Sequence, residues 1–120
     1  MTKVKAGLAT VLTLVFALSL SSCSGSKLEV SDVTAIIDIR TAAEFEKSHI
    51  VGAVNIDYSL NDFGATVIEY SSSGKYYLYG STKEQAAKAV GDMIGIGYKR
   101  VTNLGSFEDA QRVLPLGVTN

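Results

Sequence analysis

A turn between a strand pattern and a helix pattern carries the residues of greatest chemical interest. The stretch "YYLYGSTKEQAAKA", residues 76–89, is typical of an aromatic strand, the turn Gly80-Ser81-Thr82 and the start of a helix. Backbone N–H groups at a helix N-terminus can bind an anion or lower the pKa of a nucleophile. The turn contains no cysteine, histidine or arginine. Three interpretations stay open: a working site, a site that has lost its chemistry, or a simple connection.

The hydroxyls of Ser81 and Thr82 are the candidate nucleophiles in this turn, but a hydroxyl needs an adjacent base and the sequence offers none beside it. The backbone N–H groups from Gly80 to Thr82 could instead form an anion nest. Local sequence argues against a nest, because Thr82-x-x-Gln85 and Ser81-x-x-Glu84 are overlapping capping-box patterns. We therefore favour a turn capped by its own side chains over a ligand cradle.

A second group of polar residues follows an apolar strand pattern. Asp38, Arg40 and Glu44 are close in sequence, and we expect them to stabilise a strand–helix junction by hydrogen bonding and charge pairing rather than to transfer protons. His49 is the only histidine, and Gly52 lies in the turn after it. A histidine without other ligands nearby does not make a metal site, so we expect no metal and no cofactor.

Strand and helix patterns alternate along the chain, as in a small α/β domain. This alternation predicts one domain with a parallel twisted sheet and helices on both faces. Ligands of such sheets bind at the carboxyl ends of strands, which is where the turn after Tyr79 lies. The predicted strands are 34–39, an extended segment 49–56, 76–79 and 100–103, and the predicted helices are 41–48, 60–70, 83–94 and 107–113.

Two of the helix patterns predict which apolar side chains are buried. The weaker pattern, 60–70, places its apolar residues on one face, and the pattern after the turn does the same. The predicted buried residues are Leu60, Phe63, Val67 and Ile68 in the first, and Ala86, Ala87, Val90 and Ile94 in the second.

The N-terminal residues have the pattern of an export signal. Lys3 and Lys5 precede an uncharged apolar segment that ends at Leu20, and small residues follow. The apolar segment is shorter than the roughly 20 residues that cross a bilayer, so an uncleaved anchor is the weaker interpretation. The segment Leu20-Ser21-Ser22-Cys23 resembles the lipobox of bacterial lipoproteins, in which the cysteine is lipidated after cleavage. The alternative is an ordinary secretory signal that happens to contain a cysteine.

The lipobox resemblance implies a bacterial cell-envelope protein, extracytoplasmic and held at the membrane by lipid on Cys23. It divides the chain into a signal peptide (1–22), a lipidated cysteine with a flexible tether (23–29), a domain (30–116) and a tail (117–120). Cys23 is the only cysteine, which excludes a disulfide within the chain. Beyond residue 22 there are nine Lys and Arg (eleven less Lys3 and Lys5) and twelve Asp and Glu, which argues against a nucleic-acid partner.

The stretch "IIDIRTAAEFEKSHIVGAVNI", residues 36–56, closely resembles the first half of a rhodanese-like domain. That family has an aspartate and an arginine at a strand end, an acidic-Phe pair on the next helix, and a His-Ile-x-Gly-Ala turn. Residues 97–111 resemble the closing strand and helix of the family more loosely, and Ser48 replaces a family-typical glycine. The matching residues are Asp38, Arg40, Glu44, Phe45 and His49 to Ala53.

The resemblance implies a sulfurtransferase fold whose active loop is degenerate here. In active members a cysteine opens a loop after the fourth strand, backbone N–H groups line the loop, and a basic residue completes it. The thiolate attacks a sulfane sulfur and carries it as a persulfide. In the candidate loop, residues 80–85, Gly80 stands at the cysteine position, and no arginine follows. The loop consists of Gly80, Ser81, Thr82, Lys83, Glu84 and Gln85.

These departures all oppose sulfur transfer. Ser81 stands where a basic residue is common, Thr82 matches a frequent Ser or Thr, and Glu84 and Gln85 stand where an arginine would close the loop. We therefore expect a membrane-anchored rhodanese-like lipoprotein without sulfurtransferase activity, a binding or interaction module for a protein or a small anion. The alternative is a sulfurtransferase or phosphatase-like enzyme that uses a non-standard residue or a partner's thiol.

Overall fold

Six strands and four helices follow one another along residues 26–120, the part of the chain that this computed structural model describes. The predicted signal peptide and Cys23 lie outside the described residues. The strands are β1 (Ala35–Asp38), β2 (His49–Ile50), β3 (Val54–Asn55), β4 (Lys75–Gly80), β5 (Arg100–Ser106) and β6 (Val118–Thr119). The helices are α1 (Ala42–Lys47), α2 (Phe63–Val67), α3 (Lys83–Gly95) and α4 (Phe107–Val113).

The central sheet has the strand order β3-β1-β4-β5, and all of its neighbouring strands are parallel. β5 continues three residues beyond its predicted end, to Ser106, because it pairs with β4 up to Gly80. β2 and β6 form a separate antiparallel pair. The predicted α/β class with a parallel sheet is confirmed.

β4 is covered on both sides, which explains its continuous apolar sequence. Tyr76 and Leu78 face one side and pack in a core cluster with α2 and α3. Tyr77 and Tyr79 alternate to the other side, in a cluster that includes Ala110 of α4. Helices therefore cover both faces of the sheet, as the sequence predicts.

The predicted helix 60–70 is wrong in length. Only α2 is helical, and of the predicted apolar face Phe63 and Val67 are buried while Leu60 and Ile68 are 57% and 64% exposed. Five helical residues make little more than one turn, which is too short to bring residues eight apart onto one buried face.

The predicted apolar stripe of α3 is also partly wrong. The helix buries Ala86 as predicted, but with Ala89 and Met93, while Ala87 and Ile94 are exposed. Apolar residues occupy two adjacent sides of this helix, and the core packs against the side that carries Met93. Periodicity alone does not distinguish these two sides.

Both ends of the described chain contact the domain. Residues 26–29, predicted to belong to a flexible tether, include Leu28, whose N–H donates to the carbonyl of Val113 at 2.8 Å. The Tyr77 hydroxyl donates to the carbonyl of Glu29 at 2.6 Å. At the other end, the predicted tail 117–120 contains β6. Within residues 26–120, none of the helices has the length and apolar character needed to span a bilayer.

A buried ion pair holds the carboxyl end of β1. Asp38 and Arg40 are only 0% and 6% exposed, and the Arg40 Nη2 lies 2.8 Å from the Asp38 Oδ2. The same Nη2 donates to the carbonyl of Ser48 at 2.6 Å, and the guanidinium lies 4.0 Å from the ring centroid of Phe107. Burial alone would lower the pKa of Arg40, but the hydrogen bond and charge of Asp38 outweigh it and raise that pKa.

We expect Asp38→Asn to lower the free energy of unfolding by about 3–5 kcal/mol, because it leaves the buried Arg40 charge without its counter-ion. Urea denaturation followed by circular dichroism measures this change.

Asp32→Asn is the matched control, since Asp32 pairs with Lys75 but its side chain is 60% exposed. Surface pairs contribute little, so the urea midpoint should barely move. Equal shifts in the two variants would show that burial does not decide the importance of these pairs.

Candidate functional site

The turn after β4 begins at a glycine, and Gln85 and Ile39 lie in the space that a side chain there would need. Gly80 is the last residue of β4 and is buried. A Cβ at this position would lie 2.6 Å from the Gln85 Oε1 and 3.2 Å from side-chain carbons of Ile39. Any other residue at position 80 must therefore displace Gln85 and press on Ile39.

The turn is capped by its own side chains. The Thr82 Oγ1 accepts the backbone N–H of Gln85 at 3.1 Å, as in the predicted cap. The Gln85 Oε1 reaches back one residue further than a capping box requires and accepts the N–H of Ser81 at 2.8 Å. One of the donors that an anion would use is therefore occupied by Gln85.

The predicted Ser81–Glu84 capping box does not form. The Ser81 hydroxyl donates to the carboxylate of Glu44, with 3.2 Å between the Ser81 Oγ and the Glu44 Oε2. Glu84 is exposed on the first turn of α3. The prediction fails because α1 brings the carboxylate of Glu44, 37 residues earlier in the chain, into contact with the Ser81 hydroxyl.

Glu44 links the first helix to this turn. It lies in α1, where its carboxylate accepts the Thr41 hydroxyl at 3.1 Å and the Thr41 backbone N–H at 3.4 Å. The sequence predicts Glu44 at the strand–helix junction but does not predict its contact with Ser81. No local pattern could have found that contact, because it depends on how α1 and α3 are placed around the sheet.

The arrangement gives the Ser81 hydroxyl a nearby carboxylate, but little else that catalysis needs. The N–H of Ser81 is already bound to Gln85, so it does not serve as an oxyanion donor. A bound anion would also meet the negative charge of Glu44 at 3.2 Å from the Ser81 Oγ. The geometry therefore favours a closed turn over an anion cradle or an activated serine.

His49 and its neighbours make structural contacts. The His49 Nδ1 lies 2.7 Å from the carbonyl of Phe45, and the two rings stack with centroids 3.7 Å apart. Gly52 adopts φ +86°, a conformation that favours glycine. The Tyr79 hydroxyl accepts the N–H of Ile50 at 3.1 Å, and burial raises the pKa of Tyr79 well above its usual value. Within residues 26–120, no cluster of side chains suits a metal ion.

Two open concavities lie outside the turn. An open groove of about 590 Å³ runs between α2 and α3 and is lined by Tyr58, Phe63 and Ile96 among others. A smaller cleft of about 360 Å³ lies beside the turn, between the start of α3, the end of β5 and α4. Lys83, the one cation of the candidate loop, lines this cleft rather than the turn.

Comparison with protein families gives one match, which covers most of the chain. The family described as "Rhodanese-like domain" matches residues 26–112. The chain belongs to the rhodanese-like family. The search of curated proteins gives no match.

Solved structures support the same fold. A rhodanese-like domain from Anabaena matches with a TM-score of 0.62 at 23% identity, covering 72% of this chain and 98% of that one. A rhodanese-like domain protein from Staphylococcus aureus gives 0.60 at 22% identity, covering 78% and 87%. A rhodanese from E. coli, solved with anions, gives 0.58 at 20% identity, covering 72% and 96%. At these identities the likeness establishes the rhodanese fold of this chain and nothing finer.

We expect Gln85→Ala to speed hydrogen exchange at the Ser81 amide, because the substitution removes the acceptor that now protects it. Losing this hydrogen bond should lower the free energy of unfolding by about 0.5–1.5 kcal/mol. Exchange measured by NMR, residue by residue, tests the change.

Gln111→Ala is the control, since Gln111 is an exposed residue of α4. It should leave exchange at Ser81 unchanged. If Gln85→Ala also left Ser81 protected, the hydrogen bond from the Ser81 amide to Gln85 would be absent in solution.

Proposed function

We propose that this rhodanese-like protein is a lipid-anchored domain of a bacterial cell envelope that lacks sulfurtransferase activity and acts as a binding or interaction module. The observation that carries the proposal is Gly80. It lies at the carboxyl end of β4, where the active members that this chain resembles have their cysteine, and Gln85 takes the space a side chain would need.

The chemistry of sulfur transfer supports this proposal. A thiolate must attack the sulfane sulfur and hold it as a persulfide, and positive charge or N–H donors must stabilise the anion. The candidate loop, residues 80–85, contains no thiol. Its Ser81 amide is bound to Gln85, and the carboxylate of Glu44 contacts Ser81. Without a thiol the loop cannot form a persulfide, and the bound amide and the nearby carboxylate both oppose a negatively charged sulfur in the turn.

The proposed anchor depends on the N-terminal sequence. The segment that ends at Cys23 resembles a lipobox, and lipid on Cys23 would occupy the only thiol of the chain. Several acyl chains on one residue, at about 0.8 kcal/mol per buried CH₂, would hold the domain at the membrane. We expect the partner to be a protein or a small anion rather than nucleic acid, since the chain after residue 22 has more acidic than basic residues.

A second candidate function rests on the contact between Ser81 and Glu44. A hydroxyl beside a carboxylate is the minimal pair for a phosphatase-like or other transfer reaction, and a partner's thiol could replace the missing cysteine in sulfur transfer. The occupied Ser81 amide makes this the weaker candidate.

A fragment of residues 24–120 should show no transfer of sulfur from thiosulfate to cyanide above the buffer background, because its turn contains no thiol. Thiocyanate formation measures the activity, with an active rhodanese as positive control. Turnover that rises with the concentration of the fragment would overturn the proposal.

Gly80→Cys sharpens the same assay. The new Cβ would displace the Gln85 side chain, and the Glu44 carboxylate contacts the neighbouring Ser81, so we expect little activity. Gly80→Cys combined with Glu44→Gln removes that charge and should be the more active of the two variants. High activity in Gly80→Cys alone would show that the anion cradle is intact.

Metabolic labelling with a fatty acid should mark the full-length protein in a bacterial host and leave Cys23→Ser unlabelled. The physical reason is that Cys23 provides the only sulfur nucleophile for lipid attachment. Ser22→Ala keeps the cysteine, leaves a small residue before it, and serves as the control that should still be labelled. Equal labelling of the wild type and Cys23→Ser would refute the anchor.

A further inference from the structure

The cleft beside the turn has more positive than negative charge. It is lined by Lys83, Asn103, Leu104, Gly105, Asp109 and Arg112, among others. The carboxylate of Asp109 is already engaged, because it accepts the N–H of Ser106 at 3.1 Å and pairs with Arg112. The ammonium of Lys83 makes no ion pair among residues 26–120.

A third cation lies beside this cleft. The Lys27 Nζ donates to the carbonyl of Arg112 at 2.6 Å, near the end of α4. A cation is well placed there, because the C-terminal end of a helix has partial negative charge. We call Lys27, Lys83 and Arg112 together the basic face.

The chain enters the domain at this same place. The N–H of Leu28 donates to the carbonyl of Val113, so the backbone beside Lys27 is fixed to the end of α4. Cys23 precedes Lys27 by only four residues. Four residues span at most about 14 Å when fully extended. A lipid on Cys23 would therefore hold the end of α4 within about that distance of the membrane surface.

We propose that the basic face docks on anionic lipid headgroups of the membrane that holds the protein. The proposal rests on the lipid anchor of the proposed function for its geometry. The Debye length is about 8 Å at physiological salt, so the fully extended tether would hold the cations where the surface field is largely screened. A tether that is not fully extended brings the three cations within one Debye length of an anionic surface. The anionic headgroups would pair with the free ammonium of Lys83 and the exposed part of the Arg112 guanidinium.

The overall charge makes this inference specific. The chain from residue 23 has nine basic and twelve acidic residues, a net charge of −3, so an anionic surface repels the molecule as a whole. Attraction must then come from a local cluster of cations on the side that faces the surface. Without the basic face, we therefore expect no binding of the domain to anionic vesicles.

The test uses residues 23–120 with Cys23→Ser, which has neither lipid nor thiol. Both core clusters of the described domain lie within this fragment, so it contains what the fold needs. Vesicles of phosphatidylcholine with about one third phosphatidylglycerol, at millimolar lipid and low salt, should sediment the fragment, and pure phosphatidylcholine should not. Each basic residue near an anionic surface contributes a factor of about five, so Lys83→Glu or Arg112→Glu should weaken binding at least that much.

Lys99→Glu is the matched control, because it makes the same change in net charge. Lys99 precedes β5, about 20 Å along the strand from Gly105 in the cleft. It should change binding less than twofold. An equal loss from Lys99→Glu and Lys83→Glu, or no binding of the parent fragment to anionic vesicles, would overturn the proposal. Circular dichroism melts confirm that each variant is folded.

Inorganic phosphate, compared with sodium chloride at the same ionic strength, distinguishes a headgroup surface from a site for free anions. Equal displacement by both salts is expected, and selective displacement by phosphate would overturn the headgroup proposal. Fatty-acid labelling reports on the anchor alone. If the protein is not labelled but the fragment still binds anionic vesicles, the anchor is refuted and the basic face is kept. If the protein is labelled but the fragment does not bind the vesicles, only the basic face is refuted.

Discussion

The buried pair of Asp38 and Arg40 is the interaction on which the carboxyl end of the sheet depends. Its guanidinium joins the end of β1 to the carbonyl of Ser48, at the end of α1, and to the ring of Phe107 in α4. Two charges removed from water remain stable only when they satisfy each other. The junction therefore holds α1 in place, and α1 in turn brings Glu44 to the turn after β4.

The turn follows from this framework and from the buried tyrosines of β4. Tyr79 stacks on Phe107 and accepts the N–H of Ile50, which fixes where the strand ends. Gln85 and Ile39 then occupy the space that a side chain at position 80 would need. The side chains around the end of β4 therefore fill and cap the start of the turn.

Local patterns predicted the parts of the fold that depend on neighbouring residues. The alternating strands and helices, the Thr41–Glu44 capping box and the Thr82 cap are all encoded within a few residues. Predictions failed where distant contacts decide. The Ser81 hydroxyl donates to Glu44 and forms no cap with Glu84. The buried side of α3 depended on which face met the sheet.

The backbone of the turn adopts ordinary φ values. Active sites often keep strained backbone and unsatisfied polar groups, because the chemistry uses them. Within residues 26–120, the only residues with positive φ are glycines, none of them at positions 80–82. In the same range no buried side-chain polar atom lacks a hydrogen-bond partner. An unstrained turn whose Ser81 amide is bound to Gln85 has little of the preorganisation that catalysis uses, and this geometry supports the proposal of a structural turn.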